Sequence, residues 1–171
     1  MLLRIDGEPL VHRAARRAIA GGIDPLIVVV GHEADHVRAV LADLPCTFAH
    51  NPAPSAATSG SLHRGLERLS PDAVGAVVLL ADMVDVTSAM IRSVCDAATT
   101  TSVSLVASRY GEVLAPPHFF RRTLFPELLS WSGEGAGRGV VRRHLRDAVV
   151  LDWPVDTLID LDTPDDLEAR G

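Results

Sequence analysis

The chain has no lysine: all 16 of its basic residues are arginine. A lysine nucleophile, a Schiff base and the lysine of a P-loop are therefore excluded for these 171 residues. Cysteine is scarce, and Cys46 and Cys95 lie far apart with no CxxC spacing. Neither a disulfide framework nor a structural zinc site is indicated. Long apolar runs are missing too. The opening Met1-Leu2-Leu3 is broken by Arg4 and Asp6, and no later run approaches the length of a membrane span. The expectation is a reduced, cytoplasmic protein with no membrane partner. Positive charge is outweighed by 22 acidic residues, giving a net charge of −6, which repels nucleic acid at long range. The arginine clusters (13, 16, 17; 121, 122; 142, 143, 146) recur among apolar residues at helical spacing and read as solvated helix faces.

What is present is an apolar fraction of 47%, enough for one sizeable core, so a single domain over residues 1–171 is expected. Pro9 opens a helix whose Leu10, Ala14, Ala15, Ala18 and Ile19 share a face, and Gly21-Gly22 closes it. Leu26 to Val30 is a run without a polar face, the pattern of a strand buried on both sides. A helix over 34–44, a short strand over 47–49, a Pro/Ala/Ser loop over 51–59 and a helix over 61–69 follow. The strongest strand runs from Val74 to Ala81 and ends in Asp82. A helix over 88–98 and a strand over 102–107 complete a βαβα order. That order predicts a mainly parallel sheet with helices on both faces and ligands beyond the carboxyl ends of its strands. Later, 113–120 reads as a proline-interrupted edge strand, 122–131 as a helix, 132–139 as a glycine-rich loop and 148–153 as a strand. Thr163-Pro164-Asp165-Asp166 has the composition of a helix start.

Three constellations could carry chemistry. His32-Glu33-Ala34-Asp35-His36 matches H-E-x-x-H letter for letter, but zinc chemistry needs both imidazoles on one helix, and His32 directly follows a buried strand and Gly31. A solvated first-turn cluster is the expectation. The segment Gly133-Glu134-Gly135-Ala136-Gly137-Arg138-Gly139 misses the dinucleotide register; it reads as a flexible connection or as an anion site using Arg138. Carboxylates are more informative. Asp82 ends a buried strand, and Asp160 and Asp162 precede the final helix; convergent acids of this kind hold a hard cation such as Mg²⁺, although each could equally cap a helix.

Several ordered pieces together carry a resemblance: Asp6-Gly7-Glu8-Pro9-Leu10, Val28-Val29-Val30-Gly31-His32, Asn51-Pro52, Ser59-Gly60-Ser61-Leu62-His63-Arg64-Gly65-Leu66, Leu79-Leu80-Ala81-Asp82, and Asp160-Leu161-Asp162-Thr163-Pro164-Asp165-Asp166-Leu167. In order and spacing the chain resembles MobA-like NTP transferases, most closely the molybdenum cofactor cytidylyltransferases. The resemblance implies an α/β fold, a Rossmann-like three-layer α/β/α sandwich of the nucleotide-diphospho-sugar transferase type. It implies transfer of CMP from CTP, with Mg²⁺, to a phosphorylated small acceptor such as the molybdopterin cofactor, releasing pyrophosphate. Asp82 and Asp162 would be catalytic metal ligands with Asp160 as a further ligand, Ser59, Gly60 and Ser61 would line the base pocket, and Arg138 would face the acceptor.

Against the family pattern, the chain begins just after the strand and glycine-rich loop that hold the triphosphate, where the family's functional lysine lies. Asp-Gln-Pro has become Asp82-Met83-Val84, Gly-His-Pro has become Ala115-Pro116-Pro117, and Gly-Asp-x-Gly-Ala-Arg has become Gly133-Glu134-Gly135-Ala136-Gly137-Arg138. The first strand would stand centrally in the sheet, so a gap between two apolar strands is expected, to be closed by another segment, a partner chain such as a second copy in a homodimer, or residues upstream of Met1. The alternative to an active transferase is a non-catalytic relative acting as a binding or assembly subunit.

Overall fold

The structure is a computed structural model that describes residues 2–53, 58–132 and 136–158. A short antiparallel hairpin, β1 (Arg4–Ile5) and β2 (Glu8–Pro9), turns through Asp6 and Gly7, both at positive φ, and leads into α1 (Leu10–Ala20). Then come β3 (Leu26–Val30), α2 (Ala34–Val40), β4 (Cys46–His50), α3 (Thr58–Glu67), β5 (Gly75–Val78) and α4 (Ser88–Thr100). The chain continues through β6 (Leu105–Tyr110), β7 (Val113–Leu114), β8 (His118–Arg121), α5 (Phe125–Ser130), α6 (Ala136–His144) and β9 (Val149–Trp153).

Strand alternation on β6 and β8 shows the layering. Val106 and Phe119 face one side and pack with Val94 and Ala98 of α4. Leu105, Ala107 and Phe120 face the other, against Leu66 of α3, Leu128 of α5 and Val140 and Val141 of α6. Side chains two apart share a face of a strand, so this sequence is apolar at consecutive positions because helices cover both faces. The result is an α/β/α sandwich, as expected.

The strand pairing is less parallel than the βαβα order predicts. β3 and β4 are parallel, Leu26 opposite Cys46 and Val30 opposite His50, and β6 and β9 are parallel, Val106 opposite Val149. β8, however, is antiparallel to both of its neighbours, β5 and β6. Residues 113–120 are therefore not one edge strand. Pro116 and Pro117 lie in the turn between β7 and β8, where no ladder donor is needed, and β8 runs inside the sheet.

Besides the β1–β2 hairpin, the described residues form two separate sheets, β3–β4 and a five-stranded sheet of β5, β8, β6, β7 and β9. Among the described residues β3 and β5 each have one edge with no strand partner. Helices span both sheets. On one side α1 contributes Val11 and Ala15 to the cluster of Val30, with Ala81 packed against it, while on the other α3 lays Gly65 on Val29 and Leu66 in the core of the second sheet. The unpaired edges show in the burial: Leu26 to Val29 and all of β5 are only half-buried, whereas β6 is buried at five of six positions. Leu80, just past the end of β5, is 48% exposed. Among the described residues no strand joins β3 to β5, the place where a gap between two apolar strands is expected. The strand read over 74–81 keeps its ladder only from Gly75 to Val78.

Candidate functional site

The carboxyl ends of β3 and β4 lie side by side. Val30 pairs with His50, the backbone N–H of Asn51 donates to the Val30 carbonyl at 2.8 Å, and Ala81 packs against the apolar cluster that holds Val30. Asn51, which holds Ser61 in the first turn of α3, thereby stands at the carboxyl end of this sheet, where ligands collect in such folds, and Asp82 follows Ala81.

Asp82 is half-buried, and its Oδ1 is shielded from water with no hydrogen-bond partner among the described residues. A carboxylate oxygen left bare in this way is costly unless a ligand completes it. A hard divalent cation, which takes oxygen donors, fits it. Among the described residues no three His, Cys, Asp or Glu side chains converge on a metal position. Asp160 and Asp162 lie outside the described residues, so the converging acids expected from the sequence are represented by Asp82.

The turn after Asp82 is fixed from the core and from α1. Met83 joins a buried cluster with Val86, Met90, Ile91 and Tyr110, and Val84 packs on Leu10. The Arg17 guanidinium donates to the carbonyls of Val84 and Val86, the latter at 3.0 Å. Burial, followed by the charges of Arg13 and Arg16, pulls its pKa below the usual arginine value. The arginine cluster on α1 is thus not uniformly solvated: Arg16 forks onto Glu8 outside, while Arg17 turns inward. This positioning role had no signal in the sequence beyond helical spacing.

The helix expected from Ser61 begins earlier, at Thr58, so Ser59, expected in the preceding loop, lies with Gly60 and Ser61 in the first turn of α3. Ser59 is buried, and Ser61 accepts a hydrogen bond at 3.0 Å from Asn51 Nδ2. Arg138 is exposed in the first turn of α6 and not in a glycine-rich loop; residues 133–135 lie outside the described set. No described contact joins Arg138 to Asp82 or to Ser59–Ser61. Gly139 beside it lets the helix close on Trp131, whose ring would stand 2.7 Å from an added Cβ.

On the acceptor side of the pattern, the Ala115-Pro116-Pro117 turn is held from β6. Ser108 Oγ donates to the Pro117 carbonyl at 2.6 Å and Tyr110 to the Pro116 carbonyl at 2.9 Å. The Ser108 amide donates to His118 Nδ1 at 3.1 Å, and burial pushes the His118 pKa down to about 4. The neutral imidazole is thus built into the turn. His32 and His36 do not form a zinc site. Glu33 caps α2 in the left-handed region, so His32 stands outside the helix, exposed, and the two imidazoles do not share a helical face.

The MobA-like NTP transferase domain matches residues 1–149. The chain belongs to this family. Its fold is similar to the crystal structure of Rv0371c from Mycobacterium tuberculosis, at 27% identity over 99% of this chain and 86% of that one, with a TM-score of 0.84. The same protein was also solved in complex with manganese, at 27% identity over 98% and 88% with a TM-score of 0.79. A nucleotidyl transferase from Methanothermobacter thermautotrophicus superposes at 18% identity over 99% and 82%, TM-score 0.80. A CMP:2-keto-3-deoxy-manno-octonic acid synthetase complexed with CTP does so at 11% over 99% and 88%, TM-score 0.73. No curated protein matches at significance. Among the described residues of this MobA-like chain, no helix is long and apolar enough to cross a membrane.

Proposed function

We propose that this MobA-like chain transfers CMP from CTP to a phosphorylated small acceptor of the molybdopterin type, with Mg²⁺, releasing pyrophosphate. The observation that carries the reading is the bare, buried Oδ1 of Asp82. Rv0371c was solved in complex with manganese and the synthetase in complex with CTP, which favours a divalent cation and a nucleotide as the ligands of this chain.

In such a transfer an acceptor phosphate oxygen forms a bond to the α-phosphorus of CTP. The bond from that phosphorus to the bridging oxygen breaks, and pyrophosphate leaves with the electron pair. Little covalent chemistry is left to the protein, so its contribution is positioning and charge compensation. Asp82 would hold the cation, with Asp160 and Asp162 as its sequence partners. Bound there, the metal would neutralise charge developing on the phosphates. Ser59, Gly60 and Ser61 would contact the base, Arg17 would keep the 82–86 turn in place, and Arg138 would meet the acceptor. The whole 1–171 span acts in this reading as one domain.

A second reading, a family member that binds nucleotide without turning it over, is favoured by the core packing of Met83 and Val84 where the family has Gln-Pro. Incubation with each of the four NTPs, Mg²⁺ and molybdopterin, followed by pyrophosphate detection, separates the two. Release with CTP supports the transferase, and binding without release supports the second reading.

A further inference from the structure

Asn51 is the only side-chain carboxamide in the chain, which has no glutamine and no other asparagine. It is 4% exposed, at the carboxyl end of β4. Its orientation is fixed by chemistry. The Ala53 backbone N–H points at one end of the amide, at 3.0 Å from Oδ1; an N–H only donates, so that end is the oxygen. The other end, Nδ2, therefore donates to Ser61 Oγ. A hydroxyl that receives a hydrogen bond from an amide must turn its own proton elsewhere, and among the described residues Ser61 donates no hydrogen bond. Gly60 sits against the same carboxamide, with an added Cβ 3.5 Å from Nδ2, so the first turn of α3 is seated on Asn51.

We propose that Asn51 is a positioning residue that sets the Ser61 hydroxyl as a donor toward the nucleobase, so that the base edge it meets is an acceptor, a keto oxygen or an unprotonated ring nitrogen. The inference rests on the nucleotidyltransferase reading, in which the first turn of α3 faces the base. It makes a chemical distinction that shape does not. An aspartate at position 51 keeps the size and the bond from Ala53, but it replaces the donor by an acceptor and pulls the Ser61 proton inward.

Calorimetric titration of the full chain with CTP and Mg²⁺ at pH 8 tests this, with thermal melting in parallel and ribose 5-triphosphate as the base-free probe. Asn51→Asp and Ser61→Ala should each weaken CTP by about tenfold or more, a loss of one good hydrogen bond. The double variant should be no weaker than either single one, because both remove the same donor. Ser61→Thr should retain affinity, and ribose 5-triphosphate should bind all variants alike. Wild-type affinity for CTP in Asn51→Asp, or losses that add in the double variant, would overturn the role of Asn51 alone. Equal wild-type affinity for CTP and ribose 5-triphosphate would show that no base is read and overturn it as well. No binding of any nucleoside triphosphate by the wild type would remove the function reading and this inference together.

Discussion

Arg17, in the last turn of α1, reaches the carbonyl oxygen of Val84, two residues beyond Asp82, and so ties the first helix of the chain to the turn that carries the candidate metal ligand. Replacing it with methionine keeps much of the side-chain volume but leaves the Val84 and Val86 carbonyls without their donor. Two carbonyls left unpaired at about 1–3 kcal/mol each should lower stability by about 2–6 kcal/mol. Urea unfolding of Arg17→Met measures it; a change below about 0.5 kcal/mol would mean that water replaces the guanidinium.

His118 makes stability fall in acid. Its folded pKa is about 4 against an ordinary 6.5, so between these values the unfolded chain binds the proton more readily than the folded one. The contribution is full above pH 6.5 and is lost as pH falls, a loss that reaches about 3 kcal/mol by pH 4. Glu8 adds a further loss at lower pH, since its bonds from Arg16 and His12 hold its pKa at about 2. His12 works in the opposite sense. Its hydrogen bonds to Glu8 and Asp43 raise its pKa, and that stabilisation is lost as pH rises through the raised value. Denaturation midpoints from pH 7 to 4 should fall for the wild type and fall less steeply for His118→Leu.

Gly75 tests the packing of the five-stranded sheet. A Cβ there would stand 2.4 Å from the Phe119 ring and 2.5 Å from the Phe120 carbonyl oxygen, and the latter is backbone that cannot swing aside. Gly75→Ala should therefore destabilise by about 1–3 kcal/mol, the usual cost of overpacking. Its melting temperature should drop accordingly, whereas Gly22→Ser, with open space around its added Cβ, should lose only what its positive φ imposes.

The open edges of β3 and β5 predict an uneven pattern of amide exchange. In β6, bonded on both sides to β8 and β9, the amides should be strongly protected. In β3 and β5 the alternate amides that point away from β4 and β8 should exchange fast. Uniform slow exchange across β3 and β5 would mean that something covers those edges.

Periodicity made some elements legible and not others. Leu26 to Val30 and Leu105 to Ala107 stand out because helices on both faces demand consecutive apolar residues. The course of β8 was hidden because Pro116-Pro117 suggests an edge, and nothing local distinguishes an edge strand from one that returns to the middle of the sheet. Asp82 stands out in the sequence at the end of the apolar run 74–81, although the ladder of β5 stops at Val78, four residues before it. Asn51 and Arg17 were not legible as positioning groups, because their partners lie ten and sixty-seven residues away and only the fold brings them together.

The most direct test of the account follows CTP labelled at the α-phosphorus, in the presence of Mg²⁺ and molybdopterin, with the wild type and Asp82→Asn. The account predicts that the label moves to the acceptor while the β- and γ-phosphates leave as pyrophosphate, and that Asp82→Asn lowers the rate by about a hundredfold or more, as loss of a charge-stabilising group at the reacting phosphate does. No transfer of label by the wild type, or equal transfer by wild type and Asp82→Asn, would contradict it.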